Sequence, residues 1–297
     1  MPISEVMFVD TPLLRVGYEA IGDPDAQTVV LLHGFPYDVR SYDDVAGRLA
    51  RAGLRVIAPY LRGYGPTQFL SAHTMRSGQQ AALGQDVIDL MDALGIEHAI
   101  VAGYDWGGRA ACVAAALFPE RIDGLLTASG YSIQNIASAA EPSSPADEKL
   151  DWYQYYFHSE RGRRGLERHR EELCRLLWRD WSPEWADAET AFTASAPSLH
   201  NADFVDIAIH SYRHRYGLAD GDPRYDDLER RLALTPAISV PTVSVDSEAD
   251  GFGWFDSAEH APHFAGPFRT VALPGVGHNP PQEDPGAFVD VVLTLAN

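Results

Sequence analysis

The stretch His98–Arg109, HAIVAGYDWGGR, decides the fold of this chain. Ala99–Ala102 is a short apolar run with β-branched residues, the length of a buried strand. A glycine-flanked turn follows, Gly103-Tyr104-Asp105-Trp106-Gly107-Gly108, and then an alanine-rich helical run, AACVAAALF. Strand, tight turn and helix in this order form the pattern glycine, any residue, nucleophile, any residue, glycine. So sharp a turn strains the backbone of its central residue, and strand and helix approach closely enough to exclude a Cβ between them. The central residue is Asp105, not serine. A carboxylate there attacks carbon and forms an ester with the protein, which points to chemistry at an alkyl carbon rather than acyl transfer. The plainer alternative is a glycine-rich turn with a solvated aspartate.

The surrounding chain has 297 residues, 45% hydrophobic and 22% charged, enough for one large α/β domain carrying an insertion. Its formal charge of -19 argues against nucleic acid and anionic membranes as partners. Cys112 and Cys174 lie in helical patterns and read as buried thiols rather than a disulfide. His210 with His214, and His260 with His263, have spacings a metal could use, but no further ligands stand at supporting spacing, so no metal is expected. The first ten residues lack a basic region followed by an apolar run, and no stretch is long enough to span a bilayer. A soluble cytoplasmic protein is therefore expected. Composition leaves the oligomeric state open, a homodimer being one option.

Strand patterns recur at 12–21, Thr28–Leu32, Arg55–Ala58, Gly124–Ala128, Thr242–Val245 and Arg269–Leu273. Helical patterns alternate with them. Tyr42–Ala52 is stopped by Gly53, and Ser77–Leu94 opens on a Ser77/Gln80 capping box and closes at Gly95. Glu283–Leu295 puts Phe288, Val291 and Val292 on one face. Short apolar strands alternating with helices predict an α/β fold with a mostly parallel, doubly wound sheet. The character changes after Ser129: residues 134–149 read as a Ser/Pro/Ala loop that gates access, and Trp152 to Leu232 reads as helical and aromatic. The expected domains are a core of 1–133 with 236–297, and a helical cap of 134–235 over the carboxyl edge of the sheet. Trp178, Trp181 and Trp185 are expected to form the core of that cap, with pocket lining the less common outcome for such residues. There is no internal repeat.

In open α/β sheets ligands bind beyond the carboxyl ends of the strands, and the suspicious residues fall there. Asp105 follows one strand, Asp250 another, and His278 the last, in the order nucleophile, acid, histidine. His278 would deprotonate a water while Asp250 orients it and stabilises the imidazolium. Asp246 competes for the acid role from the strand end itself, but the loop position of Asp250 reaches a neighbouring loop more easily. The segment His33-Gly34-Phe35-Pro36 reads as an oxyanion loop, with the Phe35 and Trp106 amides converging on one oxygen of Asp105 and Pro36 fixing the loop, a cis bond being one way to do so.

These motifs resemble those of epoxide hydrolases of the α/β-hydrolase fold, in the group that also holds haloalkane and haloacetate dehalogenases. HGFP at 33–36, RGYG at 62–65, DWGG at 105–108 and GVGH at 275–278 carry the resemblance, which covers nearly the whole chain. Tyr104 stands where the family has a histidine before the nucleophile. The resemblance implies two cap tyrosines that protonate the epoxide oxygen: Tyr153, in Tyr153-Gln154-Tyr155-Tyr156-Phe157, and Tyr212, in Ser211-Tyr212-Arg213. It also implies substrate contacts from His33, Pro36, Trp106 and Gln154, a small-molecule epoxide as substrate, and no metal or organic cofactor; the aromatic cap points to an apolar or aromatic epoxide. Haloalkane dehalogenases bind halide through the tryptophan after the nucleophile and an asparagine in the loop, where this chain has Trp106 but Phe35. Haloacetate enzymes use two arginines after the nucleophile and a His-Trp pair in the cap; Arg109 matches one arginine, Trp106 replaces the other, and Tyr153-Gln154 replaces the pair. Hydrolase folds also serve as binding proteins, so a non-catalytic role is the remaining alternative.

Overall fold

The buried strand expected at Ala99–Ala102 lies at the centre of a nine-stranded sheet. The computed structural model describes residues 2–128, 130–253 and 256–296; Ser129, where the composition changes, lies outside the described residues. The strands are β1 (Met7–Asp10), β2 (Leu14–Ile21), β3 (Thr28–Leu32), β4 (Arg55–Pro59), β5 (Gln68–Phe69), β6 (Ala99–Gly103), β7 (Ile122–Ala128), β8 (Thr242–Ser247) and β9 (Phe268–Leu273). Their order is β1-β2-β4-β3-β6-β7-β8-β9, with β5 beside β2. The sheet is parallel from β4 to β9, and β1, β2 and β5 pair antiparallel at one edge. Every residue of β3 and β6 is buried, as strands covered on both faces must be.

Three helices of the first half pack on this sheet, α1 (Asp43–Arg51), α2 (Gln80–Ala93) and α3 (Asp105–Leu117). Gly53 and Gly95 end α1 and α2 at positive φ, as the sequence predicts. The predicted capping box of α2 does not form. Ser77 Oγ is engaged with Gln79, and a carboxylate from far along the chain, Glu229, accepts the Ala81 amide at 3.1 Å and binds the Gln80 side chain at 3.2 Å. A tertiary carboxylate does the work of a local cap because the helix start is buried and its dipole favours negative charge.

Among the described residues, 134–235 holds no strand and seven α-helices: α4 (Pro145–Leu150), α5 (Trp152–His158), α6 (Glu160–Arg168), α7 (Arg170–Trp181), α8 (Ala188–Ser195), α9 (Phe204–His214) and α10 (Asp226–Leu232). The stretch 134–149, expected as loop, ends in α4, whose start Ser144 caps by accepting the Asp147 amide. Two helices close the chain, α11 (Pro280–Glu283) and α12 (Pro285–Leu295), where one was expected. Asp284 caps α12 and Pro285 takes its first position, so the chain turns between the two. Phe288, Val291 and Val292 are buried as predicted.

Gly107 is where α3 crosses β3. A Cβ added there would lie 1.9 Å from the Leu32 carbonyl oxygen, and the sheet backbone cannot yield. Gly107→Ala is therefore expected to destabilise the protein by about 3 kcal/mol, read from its urea midpoint. An unchanged midpoint would mean that α3 sits further from the sheet.

Candidate active site

Strand register gathers the candidate residues. Leu32 pairs with Gly103, so the 33–36 loop leaves β3 directly beside the turn that opens α3. In that turn Asp105 sits at φ 50, a left-handed conformation costly for a residue with a Cβ. Gly34 makes room for it, since a Cβ at Gly34 would stand 2.7 Å from the Asp105 Cβ. The Phe35-Pro36 bond is cis.

One oxygen of Asp105, Oδ1, accepts the Phe35 and Trp106 amides, both at 2.6 Å. The other, Oδ2, lies 3.6 Å from His278 Nε2. Burial pushes the Asp105 pKa up, but His278 and the Phe35 amide outweigh it, so the carboxyl stays below its usual range. His278 Nδ1 donates to Asp250 Oδ2 at 2.8 Å. Asp246 is committed elsewhere, accepting from the amide and hydroxyl of Ser257. Burial would lower the His278 pKa, yet the Asp250 and Asp105 carboxylates raise it to about 10. At neutral pH this imidazole is a cation held between two carboxylates.

Above Asp105 opens a cavity of about 630 Å³, within the range of small-molecule sites. Tyr153, Gln154, Asp250, Phe252 and His278 line it together with Asp105, and the 134–143 segment forms part of its wall. Tyr212 is fully buried and does not line it. Its ring stands 5.2 Å from that of Tyr153, and its hydroxyl accepts the Trp106 indole N–H at 3.2 Å. Burial raises the pKa of Tyr212, and the Asp105 charge adds to the rise, while Arg215 opposes it from 4.8 Å over the ring. Arg109 and Arg215 also line the cavity, and Arg109 Nη1 and Arg215 Nη2 have no hydrogen-bond partner.

Three expected substrate contacts need correction, because they lie beneath the cavity rather than in its wall. His33 is fully buried, and its Nε2 accepts the Leu61 amide at 3.1 Å; burial lowers its pKa to about 4, which keeps it a neutral acceptor. The Pro36 carbonyl accepts the Trp178 indole N–H at 3.1 Å. Trp106 stacks on Phe35 with ring centroids 5.4 Å apart. Tyr104 also lies below, its hydroxyl 2.7 Å from Ser41 Oγ.

The end of α7 adds residues that the sequence reading missed. Trp181, expected as cap core with pocket lining the less common outcome, has its ring 4.7 Å from the His278 ring, and its carbonyl accepts the Gly251 amide at 2.9 Å. Ser182 Oγ accepts the His278 amide at 3.1 Å and donates to Glu283 Oε1 at 2.7 Å. Glu283 had a faint signal, an acid shortly after the histidine in a proline-rich turn; Ser182 had none.

A partly buried aspartate at a strand-to-helix turn, with a histidine and a second acid on neighbouring loops, marks a class. The chain belongs to the α/β-hydrolase fold family, whose model matches residues 27–243, and it is a hydrolase of that fold. It is similar to the crystal structure of a Klebsiella pneumoniae protein provisionally described as an epoxide hydrolase, at 43% identity and a TM-score of 0.97 over 98% of this chain and 97% of the other. Epoxide hydrolase A of Mycobacterium tuberculosis is 26% identical over 96% of this chain and 95% of its own length. Epoxide hydrolase B of the same organism is 34% identical over 48% of this chain and 44% of its own.

Proposed function

We propose that the protein hydrolyses an epoxide to a vicinal diol through an ester on Asp105. One observation carries the reading: Oδ1 of a partly buried carboxylate is held by two amides while Oδ2 lies 3.6 Å from a histidine paired with a second aspartate, at a cavity that a tyrosine also lines. Residues 134–235 then act as the cap of a core made of 1–133 and 236–297. Oδ2 attacks one epoxide carbon, the carbon–oxygen bond breaks, and the ring oxygen takes a proton from Tyr153, which lines the cavity with Tyr212 packed behind it. Arg215, over the Tyr212 ring, favours the phenolate that forms.

Esterification removes the charge of Asp105, so the His278 pKa falls and its proton neutralises the phenolate. The neutral imidazole then takes a proton from water as the water attacks the Asp105 carbonyl carbon. The Phe35 and Trp106 amides hold the developing oxyanion on Oδ1. Collapse expels the alkoxide, which takes the proton on His278, and the second water proton, left on the Asp105 carboxyl, passes to His278, restoring the carboxylate and the imidazolium. Epoxide and water are consumed and a diol leaves.

The test is a panel of styrene oxide, a bromoalkane, fluoroacetate and a nitrophenyl ester, scored for diol, halide and phenol. Diol release from styrene oxide is expected, falling about 10²- to 10⁴-fold in the Tyr153→Phe/Tyr212→Phe double variant. A second reading, a haloacetate dehalogenase, has Arg109 in its favour, with an unpartnered guanidinium nitrogen at the cavity wall. Halide release without diol would establish that reading or, from the bromoalkane, its haloalkane counterpart. Silence on all four substrates would favour the non-catalytic binding protein.

A further inference from the structure

We propose that Glu283 is a positioning residue for His278, acting together with Ser182 at the end of α7; this rests on the ester chemistry proposed for Asp105. Glu283 Oε2 accepts the Gly277 amide at 2.7 Å, and Oε1 accepts the Asn279 amide at 2.9 Å and the Ser182 hydroxyl at 2.7 Å. Ser182 Oγ in turn accepts the His278 amide at 3.1 Å. Three successive amides, at 277, 278 and 279, thus end on one carboxylate and the hydroxyl bound to it. The fit leaves no slack, since a Cβ on Gly277 would stand 2.8 Å from Ser182 and 2.9 Å from Glu283 Oε2.

Burial raises the Glu283 pKa, and the Ser182 hydroxyl, the two amides and the His278 cation oppose that rise. An acceptor on both oxygens is what the loop requires. Glutamine would turn a donor N–H₂ toward the Gly277 or the Asn279 amide, so Glu283→Gln breaks the clamp at nearly constant volume. His278 would then lose its fixed approach to the ester, whereas the attack of Asp105 on the epoxide needs no movement of that imidazole. Two chemical steps are therefore affected unequally.

Besides the Trp181 and Phe252 rings, four titratable groups face the imidazole: Asp105 from α3, Asp250 from the loop after β8, Tyr37 from the loop after β3 and Tyr104 from the turn before α3. Glu283 adds a negative charge behind them. Its removal should lower the His278 titration midpoint by about one pH unit.

The experiment combines single-turnover kinetics on styrene oxide with NMR titration of His278 in wild type, Glu283→Gln and Ser182→Ala. In Glu283→Gln, hydrolysis of the ester is expected to slow about 10- to 100-fold, with ester formation changed less than about twofold and the midpoint lowered. Ser182→Ala, which removes the shared hydroxyl but no charge, should slow hydrolysis with a smaller change of midpoint. A parallel fall in both steps, or hydrolysis at the wild-type rate, would overturn the assignment and leave Glu283 a folding residue. Should the wild type form no ester, the proposed function falls, and the titration alone decides: an unmoved midpoint overturns the role of Glu283.

Discussion

Asp105→Ala should lower kcat for epoxide hydrolysis by about 10⁵-fold or more, the loss typical of removing a covalent nucleophile. The expectation follows from how the two carboxylate oxygens are used. Oδ1 is fixed by the Phe35 and Trp106 amides, which leaves Oδ2 as the oxygen turned toward His278. No other described carboxylate combines those amides with a position at the turn, since Asp250 is bound to His278 and Asp246 to Ser257. Alanine keeps the Cβ and therefore the backbone strain at φ 50, so folding should change little. Diol formation by chromatography and the thermal midpoint of the same sample separate the two effects. A rate within about 100-fold of wild type at an unchanged midpoint would remove Asp105 from the chemistry.

His278→Gln should instead divide the reaction. Glutamine keeps a polar group opposite Asp250 but cannot take a proton from water, so the ester forms and stays. Turnover is expected to fall by about 10⁴-fold while one equivalent of substrate remains attached, read as a gain of the substrate's mass on the intact protein. A peptide digest should place the added mass on the segment containing Asp105. Full loss of turnover with no adduct would contradict an ester intermediate. The raised pKa of His278 sharpens this test: the imidazole of the free protein is a cation, and under the proposed mechanism it should become a base only after Asp105 has lost its charge.

The parts of the fold legible in the sequence are those set by local pattern. Thr28–Leu32 reads as a strand because four apolar residues follow a β-branched threonine between turn signals, and it is β3 without adjustment. Residues 99–108 carry a strand, a strained turn and a helix start within one window. What was not legible depends on contacts between distant segments. The N-terminus of α2 is capped by Glu229, which no local motif announces. His33 resembles a substrate contact in its motif, but its acceptor role depends on the Leu61 amide arriving from another loop. Trp181 belongs to a helical pattern that predicts burial, and burial it has; that its neighbour is His278 follows only from how the end of α7 meets the loops beyond the strands.

That lie of α7 has a consequence for anyone seeking to re-engineer specificity by exchange of parts. Its last turn and the residue after it bond to three separate loops: Trp178 to the Pro36 carbonyl, the Trp181 carbonyl to the Gly251 amide, and Ser182 to His278 and Glu283. A chimaera that took residues 134–235 from a relative would cut all of these bonds at once. The donor segment would need a tryptophan, a carbonyl and a hydroxyl at matching places, or the recipient loops would have to travel with it. Residues 134–235 and the loops that hold Gly251 and His278 are thus exchangeable only where these bonds are exchanged or matched with them.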